Sequence, residues 1–323
     1  MKNRNIVIWL LDYGIVAILL ALVIFFSTQS SNFLKLSTMM TILKQVSIIG
    51  VISVGMGFVI LTAGIDLSVG SVACVTGVTA AMIMKSGASI PTACVAAVLL
   101  ATLYGCLSGL LVTFLSMSPL IATLGMMTSL RGAAFIITGG LPVFGFNPTF
   151  GLFANGTVGG VVPYPVILML LVFAVGIFVL EYTAFGRYIY GVGGNEEASR
   201  LSGVNVRHIK IMAYTISGFL SGIAGLVLLS RTNSGQPSSG TGYEMDAITA
   251  VVLGGIGLSG GEGKLPLVVV GVLIMGVLAT GMLMCNINDY VQQLVKGLVL
   301  IVAVGFSNLS SKARIRILTK SQV

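Results

Sequence analysis

Long apolar segments alternate with short polar ones along almost the whole chain. Apolar runs of membrane-spanning length predict ten helices, near residues 13–28, 43–62, 67–85, 90–115, 119–138, 163–181, 209–230, 244–258, 265–285 and 289–307. A helix needs about 20 residues to cross the hydrocarbon core of a bilayer, and the eighth segment is short by this measure. The pattern therefore predicts an all-α, polytopic membrane protein with one transmembrane domain over residues 1–323.

Composition supports a membrane protein in contact with lipid. Of the 323 residues, 56% are hydrophobic and only 8% are charged, whereas a soluble domain carries about 25% charged residues. The net charge of +8 is compatible with a nucleic-acid partner. However, the basic residues gather at the ends of apolar runs and not along one face, which indicates topology signals and argues against nucleic acid.

The distribution of basic residues predicts the orientation of the chain. Ten crossings place both termini on one side, and basic residues are more frequent on that side, so we expect both termini in the cytoplasm. The cytoplasmic set comprises Lys2, Arg4, Arg187, Arg200, Arg207, Lys210, Lys264, Lys312, Arg314, Arg316 and Lys320. The opposite set comprises Lys35, Lys44, Lys85 and Arg231. No cleavage site follows the first apolar run, which we interpret as a retained span.

A polar, glycine-framed segment lies between the sixth and seventh predicted spans. Asn195 is a favourable helix N-cap, and Glu196 and Glu197 place negative charge on the first turn, where the helix dipole stabilises it. Arg200 lies toward the other end, and Gly203 can adopt the left-handed conformation that ends a helix. About eight residues make a helix about 12 Å long, too short to span a bilayer but long enough to fill a groove on a cytoplasmic partner.

Glycines recur at intervals that suit close helix packing, as in Gly105–Gly109 and Gly218–Gly222. A second glycine pattern, G-I-x-L-S-x-G, occurs at residues 64–70 and again at residues 255–261. The predicted topology places both copies on the cytoplasmic side, which makes the repeat parallel. An inverted repeat would require a miscount by one helix, and chance similarity between two glycine-rich turns is the alternative.

Motifs for nucleotide binding and catalysis are absent from the sequence. The G-x-G-x-x-G run at residues 255–260 lacks a strand–helix context, and no acidic residue lies about 20 positions further on. Gly263-Lys264 does not complete a phosphate-binding loop, because Leu258 and Leu265 stand where glycine and Ser or Thr are required. No catalytic set or metal-ligand spacing occurs, and Cys74, Cys94, Cys106 and Cys285 are scattered through apolar segments. We therefore expect no enzyme activity and no cofactor in this chain, so active transport would need a partner or an ion gradient.

Three charged residues fall in apolar segments, where each costs about 2.5–3.5 kcal/mol on insertion scales. They are Asp66 at a helix break, Arg131 in the fifth span and Lys296 in the tenth. Asp66, Ser68 and Arg131 are the candidates for a polar translocation path. The alternative is that these charges form ion pairs or extend toward an interface.

Four segments resemble the monosaccharide-type ABC importer permeases, the ribose permease family. They are residues 54–71, 185–203, 242–255 and 295–298, and they occur in the same order over nearly the whole chain. One departure is Glu262, because the family usually has an arginine at the corresponding place, so a contact there cannot be transferred.

The resemblance implies about ten helices per subunit and two permease subunits around a central path. It also implies cytoplasmic ATPase subunits that bind the ATP, a sugar-binding protein outside the bacterial inner membrane, and a second copy of this chain as the favoured permease partner. The segment near 195–203 becomes the ATPase-coupling helix, with contacts from Asn195, Glu196, Glu197, Ala198, Arg200, Leu201 and Gly203. A secondary transporter working alone and a branched-chain amino-acid permease are the alternatives, and the sugar itself is not specified.

Overall fold

The protein is almost entirely helical. The computed structural model describes the backbone of residues 2–319 and the side chains of residues 14–307. Within that part the α-helices are α1 (Lys2–Gln29), α2 (Leu36–Leu61), α3 (Val69–Lys85), α4 (Ile90–Phe114), α5 (Pro119–Thr138), α6 (Leu152–Asn155), α7 (Tyr164–Tyr182), α8 (Ala184–Gly194), α9 (Glu196–Leu201), α10 (Val206–Thr232), α11 (Tyr243–Leu253), α12 (Leu265–Met284) and α13 (Asp289–Thr319).

Nine of the ten predicted spans coincide with these helices, which confirms a polytopic all-α membrane protein. Seven helices in the described part are long and apolar enough to cross a membrane by length and composition, namely α2, α4, α5, α7, α10, α12 and residues Asp289–Ser307 of α13. The described apolar part of α1, Gly14–Gln29, is shorter. The predicted orientation depends partly on basic residues near both chain ends. Their side chains are not among those that the structure describes.

The prediction of a continuous eighth span at 244–258 was wrong. α11 has 11 residues, or about 16 Å of helix, which is about half of what a bilayer requires. It follows an irregular segment, 233–242, in which Gly240 and Gly242 adopt positive φ angles of 70° and 86°. These glycines allow the chain to turn sharply before the helix starts, a conformation that a hydropathy count does not detect.

Two helices begin in the interior of the bundle. α10 has 27 residues, so it is about 40 Å long and Ser217 lies near its middle. Asp66 hydrogen-bonds to Ser217, which places the segment before α3 at that depth. A Cβ on Gly240 would lie 2.7 Å from the carbonyl oxygen of Gly70, so the segment before α11 reaches the same depth. The N-termini of α3 and α11 therefore meet inside the protein.

Each of these half-helices completes a crossing together with the irregular segment before it. Residues 62–68 and α3 form the first discontinuous crossing, and residues 233–242 and α11 form the second. They correspond to the third and the eighth of the ten predicted spans, and each is only partly helical. Seven helices in the described part meet the length and composition of a membrane span, so the number of ten crossings stays a prediction.

The two discontinuous crossings belong to inverted structural units. α2 ends, and α10 begins, at the end of the bundle that carries α9, which we call the base. α4 packs on α3 and α10, while α12 packs on α11 and α2; similarly, α5 packs on α3 and α13 on α11. Residues 36–138 and 206–319 thus repeat one arrangement in opposite directions, as in many transporters.

The G-I-x-L-S-x-G echo does not mark this inverted repeat. The copy at 255–261 lies near the base, where the Gly261 backbone N–H donates to the Leu61 carbonyl oxygen at 3.0 Å. The copy at 64–70 instead runs from the base into the bundle, because Asp66 hydrogen-bonds to Ser217 near the middle of α10. The prediction that both copies are turns on one side therefore holds only for the start of the first copy, and the structural repeat relates residues 36–138 to residues 206–319 in the inverted sense.

The glycine pairs predicted to mediate packing lie on one interface, between α4 and α10. A Cβ on Gly105 would lie 2.8 Å from Gly218 Cα, and a Cβ on Gly109 would lie 2.8 Å from Ile211 Cα. Gly222 faces Ala101 on the same interface. Side chains at these glycines would push the helices apart, so the close approach confirms the prediction.

Candidate functional site

The polar segment forms a capped helix, α9, in which every residue is solvent-accessible. Asn195 precedes it in extended conformation, and its Oδ1 accepts the Ala198 backbone N–H at 2.9 Å. This confirms the predicted N-cap. The helix covers only Glu196–Leu201, about 9 Å and slightly shorter than predicted.

A glycine ends the same helix as predicted. Gly203 has a φ of 85°, a conformation that side chains with a Cβ rarely adopt. Its N–H donates to the Arg200 carbonyl at 3.0 Å, and the Val204 N–H donates to the Ser199 carbonyl at 3.1 Å. The last turn is therefore closed, and the chain leaves at a fixed angle toward α10.

Ion pairs fix the acidic side chains of α9. Arg200 donates two hydrogen bonds to Glu197, one from Nε to Oε2 at 3.0 Å and one from Nη2 to Oε1. They lower the pKa of Glu197 below its ordinary value. Lys210 Nζ on α10 donates to Glu196 Oε2 at 2.6 Å, which ties α9 to the first long helix after it. Leu201 is 76% exposed at the end of α9, so the helix carries both charged side chains and an apolar side chain on its surface.

Asp66 and Ser68 lie inside the subunit and not on a solvent-accessible wall. Asp66 Oδ1 accepts the Ser68 backbone N–H at 3.0 Å and the Ser68 hydroxyl at 2.6 Å. Its Oδ2 accepts the Ser217 hydroxyl at 2.8 Å, and Asp66 is only 1% exposed. The carboxylate therefore holds the start of α3 against α10, and its contact with a solute stays a prediction.

Arg131 of α5 hydrogen-bonds to the irregular segment of the second discontinuous crossing. One nitrogen of its guanidinium donates to the carbonyl oxygens of Pro237, at 3.2 Å, and of Ser239. The Cys74 thiol contacts the same Pro237 carbonyl at 3.1 Å. Backbone carbonyls in an irregular segment have no helical partner, and the cation satisfies two of them.

Two acidic residues at the start of α11 were not among the predicted site residues. Asp246 Oδ2 pairs with Lys296 Nζ of α13 at 2.7 Å, so the ion-pair alternative holds for Lys296. Glu244 is 8% exposed, and its Oε1 accepts the Gly242 N–H at 3.2 Å. Two acidic residues in an apolar segment, at positions 244 and 246, could have indicated a site from the sequence alone. The sequence did not show that Asp246 pairs with Lys296, 50 residues further along the chain.

Two small cavities lie in the interior of the part of the subunit that the structure describes. Each has a volume of about 10 Å³, which is room for about one water molecule. One lies between α3, α10 and the segment 233–242, and the other lies beside Lys210 and Tyr214. Among the residues that the structure describes, no group of three His, Cys, Asp or Glu side chains could hold a metal ion.

Comparison with known proteins identifies relatives over nearly the full length. Residues 38–304 match the family described as branched-chain amino acid transport system / permease component. The chain is 43% identical to the ribose import permease protein RbsC of Escherichia coli (strain K12), over 93% of this chain and 94% of that protein. It is 41% identical to RbsC of Bacillus subtilis (strain 168), over 88% of this chain and 89% of that protein.

A further relative is the L-arabinose transport system permease protein AraH of Escherichia coli (strain K12). It is 37% identical to this chain, over 94% of this chain and 92% of that protein. No solved structure matches the chain.

Proposed function

The chain belongs to the branched-chain amino acid transport system / permease component family, and we propose that it is the membrane subunit of an ABC importer that carries a monosaccharide. Relatives at 37–43% identity over almost the whole chain are permeases for ribose and L-arabinose. They favour a pentose over a branched-chain amino acid, although the family description names the latter.

The exposed helix α9 is the observation that carries the ATP-driven assignment. It is capped at both ends, fixed to α10 by the ion pair between Glu196 and Lys210, and leaves Leu201 exposed. A rigid, exposed helix of about 9 Å suits insertion into a groove of a separate ATPase subunit. In this proposal the ATPase binds and hydrolyses the ATP, and this chain contributes movement only.

An exposed helix face favours a path between two copies of the chain. The two cavities described within a subunit hold about one water molecule each, while α5 exposes Gly125, Thr128, Ser129 and Gly132, which lie on one helix face. A Cβ on either of these glycines would meet nothing within 4 Å. We place this small, weakly polar face toward the second copy and the sugar, so that a homodimer forms the path.

The base of the bundle faces the cytoplasm in this proposal. Arg187, Arg207 and Lys264 lie in the polar segments near the base, as the positive-inside rule expects. Both termini then lie in the cytoplasm of a bacterium, the opposite face lies outside the inner membrane, and an external binding protein delivers the sugar to it.

Purification of the tagged chain from native membranes, followed by uptake in proteoliposomes, tests the proposal. We expect an ATPase subunit to co-purify and ribose uptake to require ATP and the binding protein, with competition by L-arabinose but not by leucine. Competition by leucine in place of the sugars would support the branched-chain amino-acid alternative. ATP-independent uptake by this chain alone would instead support a secondary transporter and contradict the ABC assignment.

A further inference from the structure

Gly193 lies directly against a hydrogen bond that joins two distant parts of the chain. The Gly261 N–H donates to the Leu61 carbonyl oxygen at 3.0 Å. A Cβ on Gly193 would overlap with that carbonyl oxygen and would lie 2.6 Å from the Gly261 nitrogen. No side chain fits here unless the hydrogen bond opens.

Neighbouring glycines make equally close contacts. A Cβ on Gly261 would lie 2.5 Å from the Gly194 nitrogen, and a Cβ on Gly260 would lie 2.6 Å from the Ala63 nitrogen. Gly260 and Gly261 also have positive φ angles of 78° and 71°. We call residues 61–63, Gly193 and residues 260–261 the glycine junction, in which three backbone segments touch without intervening side chains.

The junction connects α9 with the bases of both discontinuous crossings. Leu61 ends α2 and leads into residues 62–68, while Gly260 and Gly261 follow α11. Gly193 precedes the N-cap Asn195 by two residues, and the Asn195 N–H donates to the Gly191 carbonyl at 2.9 Å. A displacement of α9 must therefore reach the junction through a short, hydrogen-bonded stretch of backbone.

We propose that the glycine junction transmits the movement of α9 to both discontinuous crossings at once, so that the half-helices α3 and α11 move as a pair. This inference rests on the proposed role of α9 in binding the ATPase. Backbone atoms in van der Waals contact cannot be compressed further, so a push on Gly193 displaces Leu61 and Gly261 together. In the interior of the bundle the two crossings already touch, at Gly70 and Gly240.

Tyr190 provides a second connection between α8 and the same turn. Its hydroxyl donates to the Gly263 carbonyl oxygen at 3.0 Å. This hydrogen bond keeps the turn after α11 against α8, and its loss would loosen the junction without adding any steric strain. Tyr188, two residues earlier, is 45% exposed and makes no side-chain hydrogen bond within the described part of the chain.

The test compares two junction variants with two matched controls in proteoliposomes that contain the ATPase and the sugar-loaded binding protein. The junction variants are Gly193→Ala and Tyr190→Phe. The controls are Gly194→Ala, because a Cβ on Gly194 would meet nothing within 4 Å, and Tyr188→Phe. The measurements are the number of ATP molecules hydrolysed per ribose transported and the amount of ATPase that co-purifies.

We expect Gly193→Ala to raise the ATP cost per ribose at least tenfold and Tyr190→Phe to raise it about threefold, with co-purification and both controls unchanged. Tyr190→Phe decides the outcome if Gly193→Ala does not insert, since removal of a hydroxyl leaves the packing intact. Normal coupling in Tyr190→Phe, or equal effects of Gly193→Ala and Gly194→Ala, would overturn the inference. These results differ from failure of the proposed function, which would appear as wild-type protein without ATPase or ribose uptake.

Discussion

The carboxylate of Asp66 accepts a hydrogen bond from the Ser217 hydroxyl at 2.8 Å, with Asp66 1% exposed and Ser217 equally buried. This contact joins residues 151 positions apart and holds the start of α3 at the middle of α10. It makes Asp66 a positioning residue of the first discontinuous crossing.

Asp66→Ala is expected to destabilise the protein by about 1–3 kcal/mol, because the Ser68 N–H and the Ser217 hydroxyl lose their buried acceptor. The thermal unfolding midpoint in detergent should fall, while Ser129→Ala on the exposed face of α5 should leave it unchanged. A raised KM for sugar with an unchanged midpoint would instead support the prediction that Asp66 contacts the solute.

Arg200→Glu is expected to weaken binding of the ATPase subunit about tenfold, or about 1.4 kcal/mol. The change reverses an exposed charge on α9. It also replaces the attraction between Arg200 and Glu197 with repulsion between two carboxylates. Quantitative co-purification measures the loss. Lys85→Glu, an exposed charge reversal at the far end of α3, is the control, and equal binding by both variants would exclude α9 from the interface.

Gly203→Val tests whether the exit angle of α9 matters for coupling. A branched side chain in the left-handed conformation costs about 1–2 kcal/mol, so the turn after α9 should rearrange and ATP-driven uptake should fall. Gly87→Val imposes similar strain on the opposite face, because Gly87 has a φ of 92° and open space around it. Uptake should survive in that variant; loss of uptake in both would indicate a general folding defect.

The pair between Glu196 and Lys210 should orient α9 and add little to stability. Glu196 is 57% exposed and Lys210 is 20% exposed, and such surface pairs contribute about 0.2–1 kcal/mol. Lys210→Glu should therefore weaken ATPase binding by about 1.5- to 5-fold, and adding Glu196→Lys should restore it. The affinity for the ATPase subunit is best measured at low salt, where exposed charges are least screened. A double variant that binds the ATPase no more tightly than Lys210→Glu would argue against a role for the pair.

Lys296→Met should be among the most destabilising single changes. It would leave the Asp246 carboxylate, 7% exposed, without its partner, and breaking a buried pair costs about 3–5 kcal/mol. Expression and the unfolding midpoint should both fall, whereas the double variant Asp246→Asn with Lys296→Gln should recover most of the loss. No recovery in the double variant would contradict the explanation that the unpaired Asp246 carboxylate causes the loss of stability.

Local features of the chain were predictable because they depend on nearby residues. Helix bounds such as those of α4 and α5 follow from apolar run lengths, and the cap at Asn195 and the turn at Gly203 follow from residue type and spacing. The glycine spacing in α4 and in α10 could be recognised in the sequence, but the sequence did not show that these two helices pack against each other.

The sequence by itself determined that this is a polytopic all-α membrane protein with a capped polar helix between its sixth and seventh predicted spans, because hydropathy and capping act over short stretches. Only the tertiary structure decided that α3 and α11 begin inside the bundle, that Asp246 pairs with Lys296, and that Gly193 touches Leu61 and Gly261. These features depend on contacts between segments 50 or more residues apart, which form only when whole helices pack against each other.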